Sequence, residues 1–269
     1  YTLATTVNSG GSQTIDLGGL DTNATISNGG VQTISGSAQS TIVAGTQNIT
    51  SGGVALDAII NSAGVQNIAS GANVSGTQLN SGGSQNIASG AIATTTQVNS
   101  GAVQTVSAGA QALSTTITSA GSQNITSGGS AANTFINNGG VQTVASGATD
   151  ASATISSGGV QRVSGIAQNT VVSGTQNITS GGSVTSATLD FDGIQNISAG
   201  ANALNTTVNN GGTQNIASGA NVSGTQLNSG GIQNIASGAV ATTTQVNSGA
   251  VQTVGAGASA LSTTVTSAG

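Results

Sequence analysis

Along this chain an aliphatic residue returns at fixed distances from a glutamine. Two residues after each Gln stands Ile or Val, as in Ile15, Ile34, Ile49, Ile68, Ile87 and Val106. Thirteen residues after it, in most copies, stands a second aliphatic, as in Ile26, Leu79, Val98 and Ile117. The glutamines run from Gln13 to Gln252 at intervals of 19 residues, except for two intervals of 15, from Gln32 to Gln47 and from Gln161 to Gln176. Fourteen copies of one phrase, of which "SGGSQNIASG" at residues 81–90 is typical, therefore fill the chain. In the two short copies Ile42 and Val171 are expected to take the second aliphatic place.

Side chains alternate along a strand, so each copy predicts two short strands, for example Val103–Val106 and residues 94–98, with one inward aliphatic in each. The same alternation turns Gln85 to the side of Ile87. Buried singly, an amide is costly, but identical amides stacked one turn above another bond to each other. Glycine recurs five residues after the Gln in every full copy, from Gly18 to Gly257, and a second Gly-rich corner precedes the next Gln. Two strands and two corners per 19 residues make one coil of a parallel β-helix. The period is too short for a helical solenoid or a propeller blade, and collagen would need Gly at every third position with abundant Pro. A disordered linker has no reason to keep Ile or Val in register fourteen times. The fold class is therefore all-β, a parallel β-helix of about fourteen 19-residue rungs, read as a single segment over 1–269. At about 4.8 Å per rung it would be a rod on the order of 65 Å long.

Composition narrows the chemistry. Aromatic residues are 1% of the chain and charged residues 3%, so burial rests on Ile, Val, Leu and Ala, and solubility on hydroxyls and amides. Arg162 is the single basic side chain, which excludes a nucleic-acid partner, because counterion release needs a basic patch. There is no His, Lys, Glu or Cys, so neither a hydrolase triad nor a thiolate metal site can be assembled, and no enzyme activity, cofactor or metal is expected. The six acids are Asp16, Asp21, Asp57, Asp150, Asp190 and Asp192. Only Asp190 and Asp192, in "LDFDG", stand close together, and they read as a solvated pair in a loop variation.

Two surface functions stay open on the residues alone. Thr94–Thr96 and Thr242–Thr244 invite an ice-binding reading, but the outward place twelve residues after the Gln reads Thr25, Ile59, Gln78, Gln97, Thr116, Phe135 and Thr154, without the regularity a lattice match needs. The positions ten, twelve and fourteen residues after the Gln, among them Asn133, Asn137, Thr116, Thr118, Gln97 and Asn99, line one face with polar, nearly uncharged side chains. Such a face suits side-by-side association or a passive stalk.

The phrase "NSGGSQNIASGAIATTTQV" and its copies resemble the repeats of AIDA-type autotransporter passengers, over the whole chain. The resemblance implies a right-handed β-helix displayed on a bacterial cell surface at the outer membrane. It also implies a translocator barrel and signal peptide that this segment does not contain. Its partners would be copies of itself on neighbouring cells and the host cell surface. For one branch of the family it further implies O-linked heptose on Ser or Thr, added by a cytoplasmic heptosyltransferase before export. The turn serines before Gly or Ala are the accessible candidates. At one corner these are Ser51, Ser70, Ser89, Ser127, Ser146, Ser180, Ser218 and Ser237, and at the other Ser62, Ser81, Ser100, Ser119, Ser157, Ser229 and Ser248.

Overall fold

The computed structural model describes residues 1–266, and within them the regular structure is entirely β-strand. Each full turn contributes three short strands. In the turn of Gln85 they are Ser84–Ile87, Ile92–Thr94 and Gln97–Val98. Each strand pairs in parallel with its counterparts one turn away, so that Gln85 lies between Gln66 and Gln104, Ala93 between Val74 and Ala112, and Val98 between Leu79 and Ile117. The result is a parallel β-solenoid of about fourteen turns, spaced as the glutamine period predicts.

The chain divides into two compact units, the first Tyr1–Thr134 with Gly139–Val141, the second Phe135–Asn138 with the chain from Gln142 on. In the first, the sheet of four-residue strands runs in sequence from Ser12–Ile15 to Ser122–Ile125. In the second it runs to Val251–Val254. Both units open with the same order of turn lengths. A full turn beginning at Gln13 or Gln142 is followed by a short turn beginning at Gln32 or Gln161.

Residues 94–98 do not form the single strand that alternation predicts. Thr95 adopts a left-handed backbone, φ 50°, and breaks it into the end of one strand and the start of the next. Asn23, Asp57, Ser114, Asn133 and Asn205 hold the same place with φ between 53° and 59°. Small polar residues accept this conformation at modest cost by bonding locally, so the third corner needs no fixed glycine, and counting glycines finds only two.

The short turns also differ from expectation. Val43 and Val172, not Ile42 and Val171, are the inward residues. Val43 pairs with Ile26 and Ile60, and Val172 with Ile155 and Leu189, both fully buried, whereas Ile42 is 41% and Val171 36% exposed. Each short turn drops two residues at each glycine corner, leaving two between Ile34 and Ser37 where a full turn has four between Ile87 and Ile92. The second inward place therefore comes eleven residues after the Gln rather than thirteen. Gly36 and Gly45 make these tightened corners possible. A Cβ on Gly36 would collide with the backbone oxygens of Asp16 and Gly19, and one on Gly45 with those of Gly30 and Ser27.

One turn shows how the interior is filled. Gln85, Ile87, Ala91, Ala93, Thr96, Val98 and Ala102 are all buried. Strands of two to four residues bring opposite walls close, so Ala and Thr fill most inward places and Ile or Val only two. The glutamines form ladders in which Nε2 donates to the Oε1 of the glutamine one turn earlier. Examples are Gln85 to Gln66 at 2.7 Å and Gln104 to Gln85 at 2.7 Å in the first unit, and Gln214 to Gln195 at 2.8 Å in the second. A threonine of the same turn often donates a second bond to that oxygen, as Thr96 does to Gln85 at 3.3 Å and Thr115 to Gln104 at 3.1 Å.

Two acids enter this interior. Asp21 and Asp150 are buried, each eight residues after a Gln and in the turn just before a short one. Asp21 Oδ2 accepts from Gln32 at 3.1 Å, and Asp150 accepts from Gln142 at 3.1 Å and from Gln161 at 2.7 Å. Ala24 and Ala153 stand in these turns where Thr77 and Thr96 stand in others, so the ladder's extra partner here is a carboxyl that accepts from glutamine Nε2 rather than a hydroxyl that donates to Oε1. Burial pushes the Asp150 carboxyl up from 3.8 to about 7, against hydrogen bonds from Gln142, Gln161 and the backbone at Ala151 that pull it down.

Three outcomes are expected. Ile87→Asp and Val43→Asp each bury an unpaired charge and should cost about 4 kcal/mol or more in denaturant melts. Thr95→Asp and Ile42→Asp should stay within about 1 kcal/mol, since Asp57 already occupies the Thr95 place. Equal loss in both pairs would refute the register. Gln85→Ala strips a partner from Gln66, Thr96 and Gln104 and should cost about 2 to 3 kcal/mol, against under about 1 for Asn86→Ala. The third outcome concerns pH. Folded Asp150 keeps its proton between about pH 4 and pH 7, where the unfolded chain has released it. Stability from this group is thus complete below about pH 4, declines through that window and is lost above it. Melting at pH 4.5 should exceed that at pH 8, and Asp150→Asn should remove its share of the difference. A variant with an unchanged pH profile would count against the buried carboxyl.

Candidate functional site

The structure places all fifteen candidate serines at exposed turn positions, none of them in a strand. They fall into two rows because every full turn bends at the same places. The residue after each serine takes a left-handed backbone, Gly at most turns, as at Gly90 with φ 74°, and Ala at Ala63 and Ala120. At the first corner these glycines are themselves laddered. Gly71 N–H donates to the Gly90 carbonyl at 3.1 Å, and Gly90 N–H to that of Gly109 at 2.9 Å.

The glycine of the next turn does more than allow the bend. A Cβ on Gly90 would stand 2.6 Å from Ser70 Oγ, one on Gly109 2.7 Å from Ser89 Oγ, and one on Gly238 2.7 Å from Ser218 Oγ. Each hydroxyl thus lies over a neighbour without a side chain, and remains uncovered by the turn above it. Ser62, Ser81 and Ser229 at the second corner meet their glycines in the same way, at 3.1, 3.3 and 2.9 Å. A serine hydroxyl is a weak nucleophile without an adjacent base, and this chain has no His, Lys or Glu. Such rows are chemically suited to be modified by another enzyme rather than to perform catalysis.

The polar face beside the second corner is cross-linked along its length. Asn80 donates to Asn61 at 2.9 Å and Asn99 to Asn80 at 3.1 Å, and Thr118 donates to Asn99 at 3.2 Å. Gln78 adds a bond to Asn80 at 3.2 Å. In the second unit Asn137 accepts from Ser156 at 3.4 Å. Asn133 is a left-handed corner instead, and the neighbouring row is broken by half-exposed Phe135. The "LDFDG" acids part company. Asp190 takes a ladder place and accepts from Asn209 at 2.8 Å, while Asp192 fills a left-handed corner at φ 62°. Among the described residues no three acids gather as a metal site would require.

One feature of the surface escaped the sequence reading. The residue after the Gln forms a second asparagine ladder wherever Asn recurs in successive turns. Asn67 donates to Asn48 and Asn86 to Asn67, both at 2.9 Å. In the second unit Asn196 donates to Asn177 and Asn215 to Asn196 at 2.9 Å, and Asn234 to Asn215 at 3.0 Å. Runs of Asn at constant period were the available signal. Arg162 stands exposed in the same row, its backbone in register with Asn177.

No protein-family model and no curated protein matches this chain. Among solved structures, the crystal structure of a TibC-catalyzed hyper-glycosylated TibA55-350 fragment matches 99% of the chain and 97% of its own length, at 32% identity and a TM-score of 0.73. Nearly a third of the residues are thus kept over both whole lengths, on a common fold. The chain belongs to the AIDA-type autotransporter passengers.

Proposed function

We propose that this chain, 1–269 as one passenger segment, is displayed on a bacterial surface as an adhesin, where it promotes cell-to-cell association and attachment to host cells. We further propose that its corner serines carry O-linked heptose, transferred in the cytoplasm by a TibC-type enzyme before export. The observation that carries this reading is the pair of serine rows, every candidate exposed at a turn and many, such as Ser70, Ser89 and Ser218, lying over a glycine of the next turn. The similar TibA fragment, hyper-glycosylated by TibC, supports it. Association would come from many weak contacts along the polar face, summed over turns rather than concentrated in one pocket. With a single basic residue, charge repulsion between copies is small and nucleic acid is not a partner.

The test displays the full-length protein on bacteria with and without a TibC-type heptosyltransferase. Intact mass is expected to rise in steps of one heptose only when the enzyme is present, and Ser→Ala at the corner positions should remove steps. Cells should settle or attach, and Asp at Thr116, Thr118 and Asn137 should weaken this by repulsion. Cells that neither settle nor attach in any form would leave a passive stalk, and an unchanged mass would overturn the acceptor role.

A further inference from the structure

The second unit carries an open trough of about 430 Å3 beside the first serine corner. One wall is the asparagine ladder Asn196, Asn215 and Asn234, and the floor includes Ser198, Ala217 and Ala236. Ser218 and Ser237 follow the lining residues Ala217 and Ala236 directly in the chain, one residue beyond the trough. We infer that it is the bed of the sugars carried by these two serines, which lie back across the small residues and bond to the asparagine amides. This inference rests on the acceptor role proposed above.

Three features support it. An asparagine amide has two N–H donors and an oxygen with two lone pairs. Asn215 donates one N–H to Asn196 and accepts one from Asn234, which leaves a donor and an acceptor side by side. A ring bearing hydroxyls on neighbouring carbons presents the matching pairs. Second, the floor is kept low, with Ala217, Ala236 and Gly255 in successive turns. A monosaccharide of roughly fourteen heavy atoms fills about 200 Å3 at interior packing density, so the trough takes one sugar for each serine. Third, the second corner offers no such bed. Asn228 Oδ1 there accepts from both Asn247, at 2.9 Å, and Gln226, at 3.1 Å, so its lone pairs are already used.

Periodate oxidation of the sugar diols, followed site by site by peptide mass, tests the inference on the folded, glycosylated protein. Sugars on Ser218 and Ser237 should react about fivefold more slowly than those on Ser229 and Ser248 of the same molecules, the effect of about one net hydrogen bond. Asn215→Thr with Asn234→Thr should close that gap while the second-corner rates hold. Thr253 stands naturally in this row, so the fold tolerates the exchange. Ala217→Leu with Ala236→Leu, which fills the floor and leaves the ladder intact, should close it too. Sugars present on Ser218 and Ser237 but oxidised as fast as those on Ser229 and Ser248 overturn the bed alone. Absence of sugar from both serines overturns the acceptor role, and the bed with it.

Discussion

A primary amide sealed in a dry interior must find its partners there, and in this protein the partner is the same amide one turn away. An unpaired buried amide costs several times what a paired one contributes. Glutamine therefore has to stand at the same depth in every turn, since replacing one strands its neighbours on both sides. That requirement fixes the spacing of the strands, the parallel register and the corners that restart each turn at the same point. In most full turns a threonine hydroxyl gives the ladder a further donor, and the carboxyls of Asp21 and Asp150 give it a further acceptor.

The surface inherits this order. When the interior repeats in register, the outside repeats with it, whatever the outward residue is. Successive asparagines become ladders, and successive corner serines become rows with nearly identical surroundings. Under the acceptor role proposed above, a modifying enzyme that accepts one such corner would meet a similar shape at the next. The low charge has a related effect, because like faces of two copies would meet with little repulsion in the proposed association.

How far all this was legible depends on whether a signal repeats. Ile87 and Gln85 recur at every turn, so their burial and the ladder could be read from spacing alone. The serine corners were readable for the same reason, through the glycine that follows them. The third corner was hidden, because Asn, Ser, Asp, Thr and Gly share it and no single letter marks it. Val43 was hidden by Ile42 beside it, since two adjacent aliphatics leave the inward one undecided until the strand partners Ile26 and Ile60 are known. Asp21 and Asp150 looked scattered because their common feature is a position relative to the short turns rather than a shared motif. The trough needed three dimensions, as its wall and floor are contributed by separate turns.

A stack of near-identical turns has a weakness that its order creates. If one stretch docks a whole turn out of place, most of its contacts are restored, and the error is cheap. The short turns remove that degeneracy. Slipped by one turn, Asp21 would face a turn whose corners are two residues too wide, and Gln32 would lose its carboxylate acceptor. Asp150 and the short turn from Gln161 repeat the arrangement in the second unit. These paired irregularities act as alignment marks on an otherwise featureless ruler. They penalise the misfolded states of a repetitive chain.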